Sequence, residues 1–316
     1  MTSPGSRGFF RVGNIGIVRA EASDMGFAMG KSEAEATHDL AMCAAAGAGV
    51  PQDWSLALDH LVRAAELGSQ LAQAELAALA GEWLRSQEIA AGEEASYSDW
   101  ANFRRTVDIA AWLATPRPQI ASASPRVATV EGFASPEICD WLIRRARPRL
   151  SPAKVYDHDT GGARRENIRT NSECHLPLND SDLVLLLLRA RMAKITELPV
   201  DAMEAAVVLH YLPGQEFLPH VDFLDTSSPG HAKDVAKRGQ RVLTFLLSLN
   251  DDYDGGETEF PVLGKRWKGH RGSGLFFWNV EPDGRPDRRT AHAGLPPTRG
   301  EKWLLSQWIR GPAVQV

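Results

Sequence analysis

The chain is poor in cysteine. Its 316 residues include three, Cys43, Cys139 and Cys174, and these lie far apart. An odd number at such separations matches neither a disulfide framework nor the paired spacing of a structural zinc site. We therefore expect reduced thiols, as in an intracellular protein.

Long apolar runs and a surplus of positive charge are also absent. The longest aliphatic run, Leu183 to Leu188, is far short of the roughly 20 residues that a membrane helix needs. Arginines interrupt the apolar residues at the start of the chain, which is unlike a secretion signal. The net charge of −5 gives no reason to expect nucleic acid or an anionic membrane as a partner. These features predict a cytoplasmic protein.

Residues 33–115 are rich in alanine and have the periodicity of helices. Gly47 and Gly68 stand where helices would end, Pro51 separates the first two helices, and an apolar stripe runs along the second. The unit from Gly47 to Gly68 resembles the Sel1-like branch of the tetratricopeptide repeats. This resemblance implies a scaffold that binds a peptide or protein partner. A helical layer that only covers the rest of the protein is the alternative interpretation.

The composition changes after this helical region. Residues 116–126 are rich in proline and serine and are interpreted as a linker, while residues 1–32 form an N-terminal extension. In residues 127–316 two helical segments precede several short strands that are separated by glycine-rich turns. This order predicts an α+β domain with a barrel or jelly roll.

A histidine and an aspartate lie two residues apart in the stretch YLPGQEFLPHVDF. They are His220 and Asp222. Side chains at i and i+2 of a strand point to the same face, so both can converge on one small object. Such a pair indicates a metal site, but the motif alone is weak and needs a third ligand.

His292 is the candidate for that third ligand, because it lies at a predicted strand edge beside a turn. Two imidazoles and one carboxylate on one face of an octahedral ion leave three positions open, which is the arrangement of non-haem Fe(II) oxygenases. The same ligands also suit zinc, so a zinc hydrolase remains an alternative. That alternative lacks an evident general base and leaves the next feature unexplained.

A lysine, Lys302, begins the last predicted strand, KWLLSQWIR. It shares one strand face with Leu304, Ser306 and Trp308. A lysine that faces the interior of a barrel needs an anionic partner, because an unpaired buried ammonium is strongly disfavoured. We expect the carboxylate of a cosubstrate to be that partner.

Residues 124–309 resemble the 2-oxoglutarate- and Fe(II)-dependent dioxygenases, specifically the prolyl 4-hydroxylase-like branch. The similarity extends over SPEICDWLI, YLPGQEFLPHVDF, GQRVLTFLLSLN, DGGETEFP, GSGLFFWN and HAGLPPTRGEKWLLSQWIR. It implies a double-stranded β-helix, or jelly roll, with supporting helices and preceded by the helical repeat domain. It also implies His220, Asp222 and His292 as iron ligands and Lys302 as the anchor of 2-oxoglutarate.

Further roles follow from the same resemblance. It implies Tyr211 and Thr258 as hydrogen-bonding partners of the cosubstrate, Trp308 as a pocket wall, and Arg169 and Arg241 as substrate contacts. A guanidinium suits a carboxylate, so a substrate that carries one is a hypothesis.

The chain departs from its relatives at two positions. It has Phe217 where many of them have a tyrosine, and Ser248 where an aromatic is common. Strand alternation directs Ser248 and Thr244 into the pocket, so Ser248 is predicted to contact the cosubstrate.

The resemblance implies a hydroxylase that is catalytic through its iron ligands and Lys302. It would use Fe(II), 2-oxoglutarate and O2, with ascorbate as an optional addition, and would release succinate and CO2. Its substrate would be an amino acid or a peptidyl, proline-like residue. The alternative is a repeat-based interaction module whose jelly roll has lost catalysis.

Overall fold

Helices make up the N-terminal part of the structure, a computed structural model that describes residues 31–93, 100–156, 163–164 and 168–311. The predicted extension, residues 1–32, lies outside the described residues except for its last two positions. The helices are α1 (Glu33–Ala46), α2 (Trp54–Glu66), α3 (Gln70–Leu79), α4 (Trp83–Ala90), α5 (Trp100–Thr106) and α6 (Ile109–Trp112).

Local signals explain where these helices begin and end. Ser32 accepts a hydrogen bond from the backbone N–H of Glu35 and forms a capping box with it, and Asp53 caps α2. Gly47 ends α1 in the left-handed conformation, with φ of 70°. The predicted helices and this C-cap are confirmed, whereas membership of the Sel1-like repeats stays a prediction. None of the described helices is long and apolar enough to span a bilayer.

The C-terminal part is a β structure with three helices among the described residues. The helices are α7 (Pro136–Ala146), α8 (Leu183–Thr196) and α9 (Pro229–Arg238). The strands are β1 (Gln119–Ala123), β2 (Arg126–Val130), β3 (Ser151–Pro152), β4 (Val155–Tyr156), β5 (Ala163–Arg164), β6 (Ser172–Leu176), β7 (Ala206–Tyr211), β8 (Phe217–His220), β9 (Gln240–Ser248), β10 (Asp254–Gly255), β11 (Thr258–Phe260), β12 (Lys265–Trp267), β13 (Gly274–Trp278), β14 (His292–Gly294), β15 (Pro297–Arg299) and β16 (Lys302–Gly311).

The predicted linker is not an unstructured connection. Residues 119–123 form β1, which pairs with β2 in an antiparallel hairpin at the edge of the large sheet. The strand QIASA contains the polar residues Gln119 and Ser122, and an edge strand tolerates such composition because one side faces solvent. The linker prediction for residues 116–126 is therefore wrong over the span of β1.

The polar segment after Asp222 contains the helix α9. Pro229 opens α9, and proline is favoured at the first helical position. His231 and Val235 are its buried residues and lie four apart, on one face. Because only two of its ten residues are buried, the helix keeps a largely polar composition.

Two antiparallel sheets build the domain that holds the site. The large sheet has the order β1-β2-β13-β9-β16-β7-β6-β3, and the small sheet has the order β12-β11-β14-β8. An apolar core combines residues of the two, which is the sandwich arrangement of a jelly roll. Its buried members are Val127, Val207, Leu209, Tyr211, Leu246, Phe260, Leu275, Phe277 and Leu304.

The other face of the large sheet packs against helices. One continuous core joins residues of α1 to α3 with residues of α7, α8 and the large sheet. A polar contact reinforces it, because the buried Glu75 of α3 accepts a hydrogen bond from the backbone N–H of Leu183 and another from His38 at 2.7 Å. Glu75 thus satisfies a free donor at the N-terminus of α8. The N-terminal helices are packed into the fold rather than attached as a separate body.

Candidate metal centre and cosubstrate pocket

The three predicted metal ligands converge at the small sheet. β8 ends at His220, Asp222 follows two residues later, and His292 begins β14 directly opposite His220. Their ligand atoms all lie within 4.8 Å of one another. The Nε2 atoms of both histidines are 3.7 Å from an oxygen of Asp222. Two imidazoles and one carboxylate therefore face a common point, as a facial metal site requires.

Hydrogen bonds on the far side of each imidazole fix its tautomer. Nδ1 of His220 lies 2.9 Å from the carbonyl oxygen of Leu218, and Nδ1 of His292 lies 3.1 Å from that of Thr290. A carbonyl only accepts, so each Nδ1 carries the proton and each Nε2 presents a lone pair to the common point. This is the orientation found for metal-bound histidine, so the donor set fits a divalent ion.

The protonation states also suit a cation. Burial, together with neighbouring His292, lowers the pKa of His220 to about 3, so its imidazole is neutral. Burial alone would raise the pKa of Asp222, but the two histidines and a hydrogen bond from Thr244 hold it below its ordinary value. The site thus offers the neutral imidazole of His220 and the ionised carboxylate of Asp222 to a cation.

Aromatic rings surround the imidazoles. Phe217 stacks on His220 with ring centroids 3.5 Å apart, and Phe277 meets His292 edge-on at 4.8 Å. Phe260 lies 5.7 Å from His292 on another side. These contacts restrict ring rotation and keep water from the far side of the ligands. Phe217, the position where relatives carry a phenol, therefore supports His220 by packing.

Lys302 lies in the same pocket as the three ligands. It is 3% exposed, and burial lowers the pKa of its ammonium to about 8. In the part of the chain that the structure describes, no carboxylate forms an ion pair with it; Glu257 acts on it only as a nearby charge. A buried cation without a partner is costly, and a carboxylate on a bound molecule would supply the missing partner.

Several other predicted residues line this pocket. Tyr211 and Thr258 are buried in its wall, and Trp308 lies on the β16 face that also carries Lys302. Burial raises the pKa of Tyr211 to about 12, so its phenol stays protonated and can donate a hydrogen bond. The strand alternation of β16 is confirmed, since Lys302, Leu304, Ser306 and Trp308 all face the pocket.

Ser248 is not among the residues that line the pocket. It faces a neighbouring cavity together with Ser273 and Lys268. The backbone at Gly269 covers it so closely that a Cβ there would lie 2.2 Å from its hydroxyl oxygen. Alternation gave the correct face of β9, but Ser248 is at the end of that strand, beyond the pocket. The structure therefore does not support contact with the cosubstrate.

The two arginines predicted to contact substrate already have partners. Arg241 makes two hydrogen bonds to the carboxylate of Glu204, at 2.6 and 2.9 Å, and its guanidinium lies 3.8 Å from the ring centroid of Trp308. It supports the pocket wall from outside and is not one of the lining residues. Arg169 does line the pocket, and it is paired with Glu173 at 2.7 Å.

Sequence reasoning missed two groups at the site. Glu204 is 37 residues from Arg241, and no local pattern links them. Asn279 donates a hydrogen bond to Thr244, which in turn contacts Asp222. The sequence feature that could have indicated Asn279 is its position as a polar residue directly after the apolar strand GLFFW. A buried polar side chain at such a position usually has a hydrogen-bond partner.

Comparisons with known proteins agree with this geometry. The profile of the 2OG-Fe(II) oxygenase superfamily matches residues 206–310. Prolyl 4-hydroxylase 1 of Arabidopsis thaliana is 34% identical over 231 residues, which cover 68% of this chain and 79% of that protein. Prolyl 4-hydroxylase 5 of the same plant is 31% identical over 246 residues, 72% of this chain and 77% of that protein.

Among solved structures, a viral collagen prolyl hydroxylase from Paramecium Bursaria Chlorella virus-1, in complex with 2OG, is 26% identical. The match covers 60% of this chain and 96% of the viral one, with a TM-score of 0.46. The sequence matches and the His-Asp-His site lead to one conclusion: the chain belongs to the 2OG-Fe(II) oxygenase superfamily, alongside the prolyl 4-hydroxylases, and is a dioxygenase that uses Fe(II), 2-oxoglutarate and O2.

Proposed function

We propose that this enzyme hydroxylates a C–H bond of a proline or proline-like residue in a peptide, with release of succinate and CO2. His220, Asp222 and His292 would hold Fe(II), and Lys302 would pair with the distal carboxylate of 2-oxoglutarate. The observation that carries the proposal is that one pocket is lined by these three ligands and by a buried lysine that has no ion pair among the described residues.

The roles of the residues follow from their chemistry. Bound Fe(II), with 2-oxoglutarate and O2, supplies the oxidation that places one oxygen atom on the substrate carbon and the other in succinate. Lys302 neutralises the distal carboxylate, and the hydroxyl groups of Tyr211 and Thr258 are available to donate hydrogen bonds to it. Phe217 and Trp308 give the pocket apolar walls that exclude water and orient the substrate.

The ion pairs around the pocket support a substrate that the enzyme does not recognise through a carboxylate of that substrate. Arg241 and Arg169 are the guanidiniums that would bind one, and Glu204 and Glu173 already neutralise them. An acidic substrate would have to displace a well-placed protein carboxylate from either arginine. The names of the relatives, prolyl 4-hydroxylases, favour proline in a peptide as the reacting residue.

Two measurements test this function. Anaerobic addition of 2-oxoglutarate to the Fe(II)-loaded full-length chain should produce a metal-to-ligand charge-transfer band. In air, succinate release should rise with proline-containing peptides and not with matched peptides in which alanine replaces proline. A band without any peptide response, but with turnover of free amino acids, would exclude the peptide substrate and keep the reaction class. Absence of the band would exclude the proposed iron site.

A further inference from the structure

We propose that Asn279 and Thr244 position the carboxylate of Asp222, so that only one of its oxygens is available to the metal. The inference rests on the proposed role of Asp222 as a ligand. It concerns two residues for which neither the family resemblance nor the pocket lining implies any role, and whose contacts form a directed chain of hydrogen bonds.

The three residues are in series and buried. Thr244 Oγ1 lies 2.7 Å from Oδ2 of Asp222, and Asn279 Nδ2 lies 2.9 Å from Thr244 Oγ1. Both Thr244 and Asn279 are 0% exposed. Asn279 itself is fixed by its backbone, because its N–H donates to the carbonyl of Val242 at 2.8 Å and its carbonyl accepts from Asp287 at 3.0 Å.

The direction of the hydrogen bonds follows from the groups involved. An amide nitrogen only donates, so Asn279 occupies a lone pair of the Thr244 hydroxyl. A carboxylate only accepts, so the single hydroxyl proton of Thr244 must point to Oδ2 of Asp222. The opposite orientation of the amide would take that proton and leave two oxygens facing each other across 2.7 Å. Asn279 therefore forces Thr244 to donate to the carboxylate.

A second observation shows that the amide is retained at a cost. The side-chain oxygen of Asn279 is buried without a hydrogen-bond partner among the described residues. An unsatisfied buried acceptor typically costs about 1–3 kcal/mol, and an apolar side chain of the same shape would avoid that cost. A purely structural role would favour leucine at this position. The nitrogen of Asn279 accounts for the presence of the amide.

The consequence concerns coordination of the metal. Oδ2 of Asp222 accepts the hydrogen bond of Thr244 and lies 3.7 Å from Nε2 of His292, whereas Oδ1 lies 3.7 Å from Nε2 of His220 and has no hydrogen bond among the described residues. The hydrogen bonds from Asn279 to Thr244 and from Thr244 to Asp222 form a relay. This relay favours a single bond from Oδ1 to the metal and restricts rotation of the carboxylate. Groups that orient metal ligands in this way typically change metal affinity by about 10–100-fold when removed.

The test uses variants that differ in one donor. Thr244→Val keeps the shape of the side chain and removes its proton donor, whereas Thr244→Ser keeps the donor and is the matched control. Asn279→Leu removes the donor at the other end of the relay. Co(II) is the probe, because its visible spectrum reports coordination number and geometry and its binding can be measured in the absence of turnover.

We expect Thr244→Val to weaken Co(II) binding by about tenfold or more and to change the Co(II) spectrum, with Thr244→Ser within about threefold of wild type. Asn279→Leu should have a smaller effect, and the double variant should match Thr244→Val, because the groups act in series. Thermal unfolding of the metal-free proteins separates this effect from a loss of stability.

Wild-type affinity and spectrum in Thr244→Val would overturn the relay. If Thr244→Val does not fold, Asn279→Leu against wild type decides by the same measurement. Failure of the wild-type protein itself to bind Co(II) would instead reject the proposed metal site, so the two failures are distinguishable.

Discussion

Lys302 pairs directly with Tyr211 across strands β16 and β7, and its ammonium lies 5.1 Å from the centroid of the tyrosine ring. The cation therefore faces an aromatic surface in a buried wall, with a pKa lowered by burial to about 8. The phenol beside it remains a hydrogen-bond donor, since burial raises its pKa to about 12. The pair offers one positive charge and one donor to a carboxylate.

The lowered pKa of Lys302 predicts how cosubstrate binding depends on pH. The free enzyme loses this proton above about pH 8, whereas a bound carboxylate requires the charged form. Titration of Lys302 should leave the apparent Kd for 2-oxoglutarate nearly constant below about pH 8. Above that pH it should raise the Kd by up to about tenfold per pH unit. Anaerobic calorimetry in buffers of different ionisation enthalpy should show proton uptake on binding above pH 8.

Substitutions of Lys302 complete this test. Lys302→Ala leaves the distal carboxylate unpaired, at a cost of about 2 kcal/mol or more, so the Kd should rise by about 30-fold or more. Lys302→Arg retains a charge that does not titrate, so any binding it supports should lose the rise above pH 8. A wild-type Kd for Lys302→Ala would mean that another group holds the carboxylate.

Removal of one metal ligand should abolish metal binding without unfolding the protein. Mn(II) at 100 times its Kd should stabilise the wild-type protein by about 2.7 kcal/mol, and this gain should be absent in His220→Ala. His210→Gln is the matched control, because His210 lies on β7 beside Glu301 and not in the pocket. Thermal unfolding with Mn(II) and with a chelator measures both effects. A metal-dependent rise in Tm for His220→Ala would remove His220 from the ligand set.

The pairing of Arg241 with Glu204 predicts weak discrimination by substrate charge. Glu204 also accepts a hydrogen bond from Arg310 at 2.6 Å, so its carboxylate holds the guanidinium of Arg241 within a network of ion pairs near the pocket wall. The acid and amide forms of a turned-over peptide should have kcat/KM values within about threefold of each other in wild type. In Glu204→Gln the acid form should gain about tenfold, since a charge-assisted hydrogen bond is worth about 1.5–3 kcal/mol.

The double variant Glu204→Gln with Arg241→Ala should lose the tenfold gain in kcat/KM for the acid form. It is therefore the control that Arg241 is the group that binds the substrate carboxylate. A strong preference for the acid in wild type that disappears in Arg241→Ala would contradict the expectation. It would restore Arg241 as a substrate contact.

Substitution of Glu75 tests whether the N-terminal helices are a separate module. Its carboxylate accepts the N–H of Leu183, so Glu75→Ala should lower the free energy of unfolding by about 1–3 kcal/mol. Glu88→Gln, on the exposed side of α4, should change it little. Chemical denaturation of both variants measures the difference. A chain that lacks residues 1–115 but keeps the full Tm would favour an independent scaffold for a partner protein.

Much of the site could be predicted because strand geometry is local. The H-x-D pattern correctly predicted that His220 and Asp222 converge, although β8 ends at His220 and Asp222 lies just beyond it, and the alternation of β16 brought Lys302 and Trp308 to one wall. His292 was a candidate from its position at a predicted strand edge, but nothing in the sequence shows that β14 pairs with β8. Side-chain direction follows from a period of two, whereas strand pairing depends on the whole fold.

The contacts that the sequence could not predict involve partners that are distant in sequence. Strand alternation indicated the face on which Arg241 lies, but not that Glu204 pairs with it. It also indicated the face of Ser248, but not that the backbone at Gly269 covers its side chain. In α9 and β1 the polar composition concealed elements that bury few side chains. The apolar content of a segment reflects how many of its side chains are buried. Helices and strands at the edge of a fold bury few side chains, so their composition resembles that of loops.

The direct pairing of His292 with His220 limits which changes in chain length the enzyme can accept. Side chains alternate along a strand, so deletion or insertion of one residue within β8 or β14 would turn one imidazole away from the other. Residues 223–239 leave the sheets after Asp222 and return at β9, so their length is not tied to this register. Variation in length among related enzymes should therefore collect in that segment, whereas β8 and β14 should keep a fixed length even where their sequences differ.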